Sequence, residues 1–229
     1  MKSAGLRKDF ARVCSLLQRR FGSRQVFFGP KVGNPLDLLV ATILSQNTSD
    51  ANSSRAFAEL KKRFPRWEQV IEASESQVVS TIKSGGLANL KARRIKQVLS
   101  EVERKAGALN LDCLEQMTAQ SAREWLTEIK GIGPKTAAVV LAFGLGKHAM
   151  PLDTHCRRVL DRLGLVQRRM PDAKAHALVE ELVEDKMKGA CHSNLILLGR
   201  IVCKPVKPRC EECPLKTVCP LGSKRGTAV

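Results

Sequence analysis

Apolar side chains recur along most of the chain at intervals of three and four residues, which is the spacing of one face of an α-helix. Alternation of apolar and polar residues is scarce, and no Asn-Gly or Asp-Gly hairpin turn occurs, so strands are not indicated. The pattern therefore predicts an all-α fold with short connections and no internal repeat. The helical stretches lie near residues 35–43, 95–102, 121–129, 134–143, 153–163, 172–182 and 194–202.

Several of these stretches begin with residues that typically cap a helix N-terminus. Asn34 precedes a proline, which suits the first helical position. Ser121 and Glu124 have the spacing of a capping box. Asp153 and Asp172 are predicted to cap the helices that follow them. The last ten residues are predicted to form a frayed basic tail.

The chain is strongly basic. It has 39 Lys and Arg against 22 Asp and Glu among 229 residues, a formal net charge of +17, and the excess is spread along the chain. A basic folded body favours a polyanionic partner, most simply a nucleic acid. Seven Phe, two Trp and no Tyr disfavour the aromatic stacking surfaces of proteins that bind single strands.

Composition also excludes several classes of protein. Apolar residues make up 43% of the chain and charged residues 27%, which is typical of a globular protein and not of a disordered basic tail. No apolar run approaches the length of a bilayer span, and the first residues, MKSAGLRKDF, show no secretory signal. We therefore expect a cytoplasmic protein that does not associate with membranes.

The eight cysteines are unevenly distributed, and four of them lie within seventeen residues with the spacing C-x6-C-x2-C-x5-C. In a chain expected to be intracellular, such a group indicates metal ligands rather than disulfides. Zinc and a [4Fe–4S] cluster both take four cysteines, and the uneven spacing favours iron–sulfur. The predicted ligands are Cys203, Cys210, Cys213 and Cys219. The residues predicted to be isolated, buried and apolar in character are Cys14, Cys113, Cys156 and Cys191.

The loop between the first two of the clustered cysteines carries three cations, Lys204, Lys207 and Arg209, and two prolines that stiffen it. A rigid cationic loop is suited to contact DNA phosphates. The alternative interpretation is a loop that is merely solvated.

A second candidate site joins two amphipathic helices through the segment KGIGPKTA. Gly131 and Gly133 allow the positive φ angles of a tight turn and leave backbone N–H groups facing outward. Pro134 begins the next helix, whose N-terminal dipole adds to them. The segment therefore predicts a site that holds a backbone phosphate without reading a base.

Lys135 follows in the first turn of that helix, where the dipole and nearby Lys130 disfavour the ammonium form and favour a nucleophilic amine. The chain between residues 144 and 152 is long enough to bring Asp153 back to the level of Lys135. A carboxylate there can accept the proton of the amine or stabilise a cationic sugar. The alternatives are a lysine that only binds phosphate and an aspartate that only caps its helix.

These segments together resemble one family, the endonuclease III-like DNA glycosylases of the helix-hairpin-helix, Gly/Pro-Asp superfamily. The resemblance covers nearly the whole chain. It rests on the motifs LSQNTSD (44–50), GGLANLKARRI (85–95), IKGIGPKTA (129–137), LDTH (152–155) and LILLGRIVC (195–203). The cysteine spacing is the one that this family uses for its [4Fe–4S] cluster.

The resemblance implies a two-domain helical glycosylase fold. Residues 29–147 would form a six-helix domain with the helix-hairpin-helix motif, and residues 1–28 and 148–229 would form a discontinuous [4Fe–4S] cluster domain. Double-stranded DNA would lie in the cleft between them, with the damaged base flipped out of the duplex. A monomer is expected.

The resemblance also implies roles for individual residues. In bifunctional members the lysine at the position of Lys135 attacks C1′ and forms a Schiff base, and the aspartate at the position of Asp153 assists. Gln46 and Asn47 align with the segment that fills the gap left by the flipped base, and Leu87 aligns with an apolar wedge. The bacterial pattern LSAQATD has its glutamine one place later than this chain does, which leaves open whether Gln46 or Asn47 fills the gap.

Base excision repair is therefore the predicted function. We expect a bifunctional DNA glycosylase/abasic-site lyase that removes oxidised pyrimidines of the thymine glycol type and cuts 3′ to the abasic site by β-elimination. The alternatives are a thymine or uracil mismatch glycosylase and a non-catalytic module that binds damaged DNA. Phosphate binding alone requires neither Lys135 nor Asp153, which disfavours the module. In a prokaryote the enzyme would be associated with the nucleoid.

Overall fold

The computed structural model describes residues 2–27 and 32–225, and these contain helices and turns but no strand. The all-α prediction is therefore confirmed. The chain divides into two compact units, which we call the terminal unit (Met1–Phe27 with His148–Val229) and the middle unit (Phe28–Lys147). In the described residues no helix is both long and apolar enough to cross a membrane.

The helices follow one another along the chain with short connections. In the described residues they are α1 (Lys2–Phe21), α2 (Pro35–Ser45), α3 (Asp50–Arg63), α4 (Trp67–Glu72), α5 (Glu75–Thr81), α6 (Ala88–Ala106), α7 (Ala119–Thr127), α8 (Pro134–Val139), α9 (Thr154–Arg162), α10 (Asp172–Leu182), α11 (Lys188–Ile201) and α12 (Pro220–Arg225). A π-helical turn at Val140–Gly144 continues α8. Short 3-10 turns lie at Lys83–Gly85, Asp112–Leu114, Asp185–Met187 and Cys210–Glu212.

The middle unit is built around α2, whose side chains from Leu36 to Leu44 are all buried. The helix begins as predicted, because Asn34 accepts a hydrogen bond from the Asp37 N–H at 2.8 Å and a proline occupies the first turn. The Asp37 carboxylate is itself satisfied inside the core, where it accepts a hydrogen bond from Trp67 Nε1 at 2.9 Å. With its apolar surface covered by α3, α6 and α8, α2 anchors the loops at its C-terminal end.

The terminal unit is held together by α11, which packs against α9 and α1. Gly199 permits the close approach of α9, since a Cβ at this position would lie 2.9 Å from the Cβ of His155. Cys14 of α1 and Cys191 of α11 form a disulfide with their Cα atoms 5.5 Å apart. The prediction that these two cysteines are isolated is therefore wrong: 177 residues separate them, and sequence spacing does not show that α1 packs on α11.

Three other local predictions need correction. The N-cap of α7 is Thr118, whose hydroxyl accepts a hydrogen bond from the Ser121 N–H at 3.1 Å, so the predicted capping box at Ser121 lies inside the helix. Asp172 is the first residue of α10 rather than its cap, and its carboxylate pairs with Arg157 at 3.2 Å. Cys113 is exposed on a 3-10 turn rather than buried.

The predicted frayed tail is also partly helical. Pro220–Arg225 forms α12, and residues 226–229 lie outside the described residues. The backbone N–H groups of Gly222 and Ser223 donate to the Cys219 carbonyl at 2.9 and 3.0 Å, which links the start of α12 to the last of the clustered cysteines. The pattern did not indicate this helix because the segment is only six residues long.

Candidate functional site

The hairpin between α7 and α8 makes its turn at Gly131. This glycine has a φ of +102°, a conformation that side chains with a Cβ rarely adopt. A Cβ at this position would also lie 3.1 Å from Cγ of Arg94 on α6. Gly133 is the exposed N-cap of α8 and supplies no capping side chain. Gly131 therefore keeps the turn tight and keeps its backbone close to α6. The prediction of a positive φ is wrong for Gly133, whose φ is −92° because it lies in the extended N-cap conformation.

Lys135 is the second residue of α8 and is partly buried. Its side chain has no hydrogen bond or ion pair within the described residues. The neighbouring Thr136 and Ala137 are buried, so the base of the lysine side chain is fixed while its amine remains unengaged. Such an amine is available to bind a phosphate or to attack a carbon atom.

Asp153 is held rigidly, in contrast. As predicted, it caps α9, and its Oδ1 accepts a hydrogen bond from the Cys156 N–H at 2.7 Å. Burial, the largest single influence, raises the pKa of Asp153, but the Cys156 hydrogen bond and the positive charges of His192 and His155 outweigh it and leave the pKa below its usual value. The carboxylate is therefore ionised at neutral pH.

The two histidines whose charges act on Asp153 differ in their contacts. His192 is buried on α11, and its Nδ1 lies 2.8 Å from the carbonyl of Pro151, so this nitrogen carries the proton and donates it. His155 accepts a hydrogen bond from Arg158 at 3.2 Å. Burial, helped by the charge of Arg158, lowers the pKa of His155 despite the opposing effect of Asp153. No sequence motif pointed to His192, because its role depends on α11 packing against α9.

The loops that follow α2 and precede α6 carry the predicted DNA-contacting side chains. Gln46 is partly buried, and its Oε1 accepts a hydrogen bond from Arg94 Nη1 at 2.6 Å. Asn47 is exposed and has a φ of +53°. Leu87 is 54% exposed with a φ of +49°, so its side chain does not belong to the core. Arg94 was missed by the sequence reasoning, although it lies in the segment that carried the family resemblance.

The four clustered cysteines, Cys203, Cys210, Cys213 and Cys219, line a single small cavity in the terminal unit. Burial raises the pKa of the Cys213 thiol to about 11, with smaller contributions from the other three. Arg162 donates a hydrogen bond to Sγ of Cys203 at 3.2 Å. Across residues 2–27 and 32–225, no three His, Cys, Asp or Glu side chains are grouped closely enough to bind one metal ion.

The cationic loop between Cys203 and Cys210 projects its side chains into solvent. Lys204 and Lys207 are exposed, and neither side chain has a polar partner in the described part of the chain. Lys207 has a φ of +50°. Arg209 is also exposed but pairs with Glu212 at 3.0 Å, so its charge is partly used within the loop.

Comparisons with known proteins identify the family of this chain. Residues 40–185 match the HhH-GPD superfamily of base excision DNA repair proteins. The endonuclease III of Thermotoga maritima is 34% identical over 196 residues, which cover 86% of this chain and 87% of that protein. The endonuclease III of Bacillus subtilis is 32% identical over 193 residues, which cover 84% of each chain. An Arabidopsis thaliana protein named as a DNA glycosylase is 35% identical over 189 residues, which cover 79% of this chain and 64% of that one.

Solved structures show the same fold. A trapped covalent intermediate of endonuclease III with DNA matches 96% of this chain and 98% of its own, with a TM-score of 0.83 and 25% identity. A thermostable thymine-DNA glycosylase shares the fold with a TM-score of 0.76 at 21% identity, over 98% of this chain and 100% of its own. Fold and site together define a helix-hairpin-helix DNA repair enzyme. The chain belongs to the HhH-GPD superfamily of base excision DNA repair proteins, and its resemblance to the endonuclease III-like glycosylase/abasic-site lyases is confirmed.

Proposed function

We propose that this enzyme is a bifunctional DNA glycosylase/abasic-site lyase that removes oxidised pyrimidines of the thymine glycol type from duplex DNA. The observation that carries the lyase activity is the Lys135 amine, which stands beside the glycine hairpin without a partner in the described residues. An ordinary structural lysine would be paired, as Lys91, Lys96 and Lys105 are. The ionised Asp153 supports a catalytic assignment for the second residue.

The proposed reaction begins when the Lys135 ammonium loses a proton and its Nζ attacks C1′ of the flipped nucleotide. The N-glycosidic bond breaks, and the base leaves with the bonding electrons and takes up a proton. Opening of the sugar ring gives a Schiff base between Nζ and C1′. Loss of a proton from C2′ then expels the 3′ phosphate by β-elimination, and water hydrolyses the imine to release the enzyme.

Asp153 assists by keeping a negative charge near the reacting sugar. Positive charge develops at C1′ as the glycosidic bond stretches, and a fixed carboxylate stabilises it without having to reorganise. The same carboxylate is able to accept the proton of the amine. The hydrogen bond from the Cys156 N–H fixes Oδ1 and so holds the carboxylate in one orientation.

We infer that the DNA is held mainly through its backbone. The N–H groups around Gly131 and Gly133 would bind one phosphate, and Lys204, Lys207 and Arg209 would contact others. Since Arg209 already pairs with Glu212, the two lysines are expected to carry more of the binding. Binding to double-stranded DNA is thus expected to weaken steeply as salt is added. The enzyme is expected to act as a monomer.

At the lesion we assign different roles to Gln46 and Asn47. The Gln46 carbonyl is engaged by Arg94, and because a guanidinium only donates, the Gln46 amide nitrogen faces away from it. Asn47 is exposed, so its side chain is able to enter the DNA without rearranging the protein. Asn47 would therefore fill the gap, Gln46 would support it, and the exposed Leu87 would act as the wedge.

We further propose that Cys203, Cys210, Cys213 and Cys219 hold a [4Fe–4S] cluster. All four residues line one cavity, and four cysteines are the donor set that such a cluster requires. When bound, the cluster would crosslink residues 203–219 through four iron–thiolate bonds. Because its raised pKa keeps the Cys213 thiol protonated at neutral pH, binding of the cluster must displace a proton from this thiol. A brown protein with broad visible absorption would support iron–sulfur, and a colourless protein containing zinc would exclude it.

Borohydride trapping on duplex DNA tests the proposed activity. Wild-type enzyme is expected to form a covalent adduct with thymine glycol and abasic-site duplexes, and Lys135→Gln is expected to form none. Lys130→Gln is the matched control, because this exposed hairpin lysine lies five residues earlier: its loss should weaken DNA binding and slow trapping, but the adduct should still form. Absence of an adduct with the wild-type protein would refute the lyase. Preference for a thymine–guanine mismatch over thymine glycol would favour the mismatch glycosylase instead.

A further inference from the structure

Lys91 on α6 is a buried lysine that the proposed chemistry does not use. Only 3% of the residue is exposed. Its Nζ donates hydrogen bonds to the carbonyl of Leu44 at 2.6 Å and to the carbonyl of Gly85 at 2.8 Å. No carboxylate pairs with it in the described residues, and burial lowers its pKa. A buried charge of this kind persists only where its hydrogen bonds are well made.

One carbonyl lies in the last turn of α2 and the other in the 3-10 turn before α6, and each is followed within three residues by a residue with positive φ. Leu44 lies three residues before Asn47, and Gly85 lies two residues before Leu87. Within the described part of the middle unit, Asn47 and Leu87 are the non-glycine residues with positive φ, at +53° and +49°. Both side chains are exposed. A single ammonium therefore anchors the bases of the two loops that present these side chains.

We propose that Lys91 is a positioning residue that couples the loop of Asn47 to the loop of Leu87, so that both side chains enter the DNA in one event. This inference rests on the proposed function. Displacing either loop alone would break a hydrogen bond to a buried ammonium, which makes joint placement of the loops the favoured arrangement. A wedge that unstacks a base and a side chain that fills the resulting gap are effective only if they act together.

Lys96 provides a matched control on the same helix. Its Nζ donates to the carbonyls of Val70 at 3.1 Å and Ile71 at 2.6 Å, and also to that of Ala73. These carbonyls lie at the end of α4, where the chain has no positive-φ residue. Lys96 thus has the same chemistry as Lys91 but does not anchor a DNA-contacting loop.

The test compares Lys91→Met with Lys96→Met on two substrates under single-turnover conditions. Excision of thymine glycol requires the base to be unstacked, whereas trapping at a preformed abasic site does not. Lys91→Met is expected to slow excision about tenfold or more while changing abasic-site trapping by no more than about twofold. Lys96→Met should change both rates by the same factor. The proposal would be overturned if the ratio of the excision rate to the trapping rate were the same in Lys91→Met as in Lys96→Met.

A fluorescence measurement reports the unstacking itself. With 2-aminopurine opposite the lesion, wild-type enzyme should increase the fluorescence as the base loses its stacking, and Lys91→Met should give a smaller and slower increase. Lys91→Arg, which keeps the charge and can donate to two carbonyls, should restore part of the signal. A full signal in Lys91→Met would contradict the coupling.

The proposal remains testable if Lys91→Met does not fold. Asn47→Ala and Leu87→Ala change exposed side chains, and if the loops act as one unit the double variant should excise no more than about twofold more slowly than the slower single variant. Effects that simply multiply would contradict the proposal. If wild-type enzyme forms no trapped adduct, the proposed function fails instead, and the fluorescence measurement still decides whether the loops act together.

Discussion

The starts of α8 and α9 present two charged side chains in opposite ways. At the start of α9, Asp153 caps the helix, and its carboxylate is fixed by a 2.7 Å hydrogen bond from Cys156. At the start of α8, Gly133 contributes no capping side chain, and Lys135 extends from the first turn with no partner in the described residues. One group is held in place and the other is left available.

The difference matches what the proposed reaction requires of each group. The amine must exist as ammonium, nucleophile and imine in turn, so strong hydrogen bonds to any one form would slow the others. The carboxylate must stabilise a charge that appears briefly, which it does best when it is already oriented. The hydrogen-bonding environment therefore separates the two roles more clearly than the residue types do.

The largest expected effect comes from removing the charge of Asp153 without removing its cap. Asparagine is as good an N-cap as aspartate, so Asp153→Asn should leave α9 intact. Excision and trapping rates are expected to fall by about 10²–10⁴-fold, while the melting temperature stays close to that of the wild type. Single-turnover assays and thermal unfolding together provide this comparison.

Asp153→Ala separates the two contributions. It removes both the charge and the cap, so the same loss of rate should be joined by a loss of about 1 kcal/mol of stability. If Asp153→Asn kept nearly full activity, the carboxylate would be only a cap, and the contrast between the two helix starts would have no chemical meaning.

An intermediate effect is expected from the cysteines. Cys210→Ser should weaken duplex binding about tenfold and expose residues 203–225 to proteolysis, since the cationic loop would lose its anchor. At saturating enzyme, the trapped adduct should still form, because Lys135 lies in the other unit. Cys113→Ser is the control, as this exposed cysteine lies outside the cluster. Tight binding by Cys210→Ser would show that the loop does not depend on the cysteines.

The smallest effect concerns His155. Burial lowers its pKa in the folded protein, so the folded state takes up this proton less readily than the unfolded chain. Its contribution to stability is therefore complete above its unfolded pKa of about 6.5 and is lost as the pH falls through the lower, folded pKa. The lowered pKa of Asp153 acts only at more acidic pH and does not overlap this range.

His155→Gln should consequently flatten the acidic side of the stability profile. Thermal unfolding measured from about pH 5 to 8 should show a smaller decrease in melting temperature below about pH 6.5 in the variant than in the wild type. Identical profiles would indicate that another group causes the acid sensitivity.

Much of the fold was predictable because its signals are local. Asn34 caps α2 and Asp153 caps α9, as their sequence contexts indicated. The predicted cap Ser121 failed because Thr118, three residues earlier, caps α7 instead. The predicted cap Asp172 failed because α10 begins one residue earlier than the pattern indicates, with Pro171 at the N-cap position.

The unpredicted features are those that depend on distant parts of the chain. The Cys14–Cys191 disulfide requires α1 to pack on α11, and the pairing of Arg94 with Gln46 requires α6 to lie beside the end of α2. In the sequence Lys91 resembles any other helical lysine, and only the fold brings the carbonyls of Leu44 and Gly85 to its ammonium. Periodicity describes which face of a helix is buried but not which loops meet there.

The central claim is that Lys135 forms the covalent bond to DNA, and peptide mapping of the borohydride-trapped adduct tests it most directly. Wild-type enzyme trapped on an abasic-site duplex should carry the sugar remnant on Lys135, and trypsin should fail to cut after that residue. A remnant on another lysine, such as Lys130 or Lys91, or the absence of any adduct, would contradict the account.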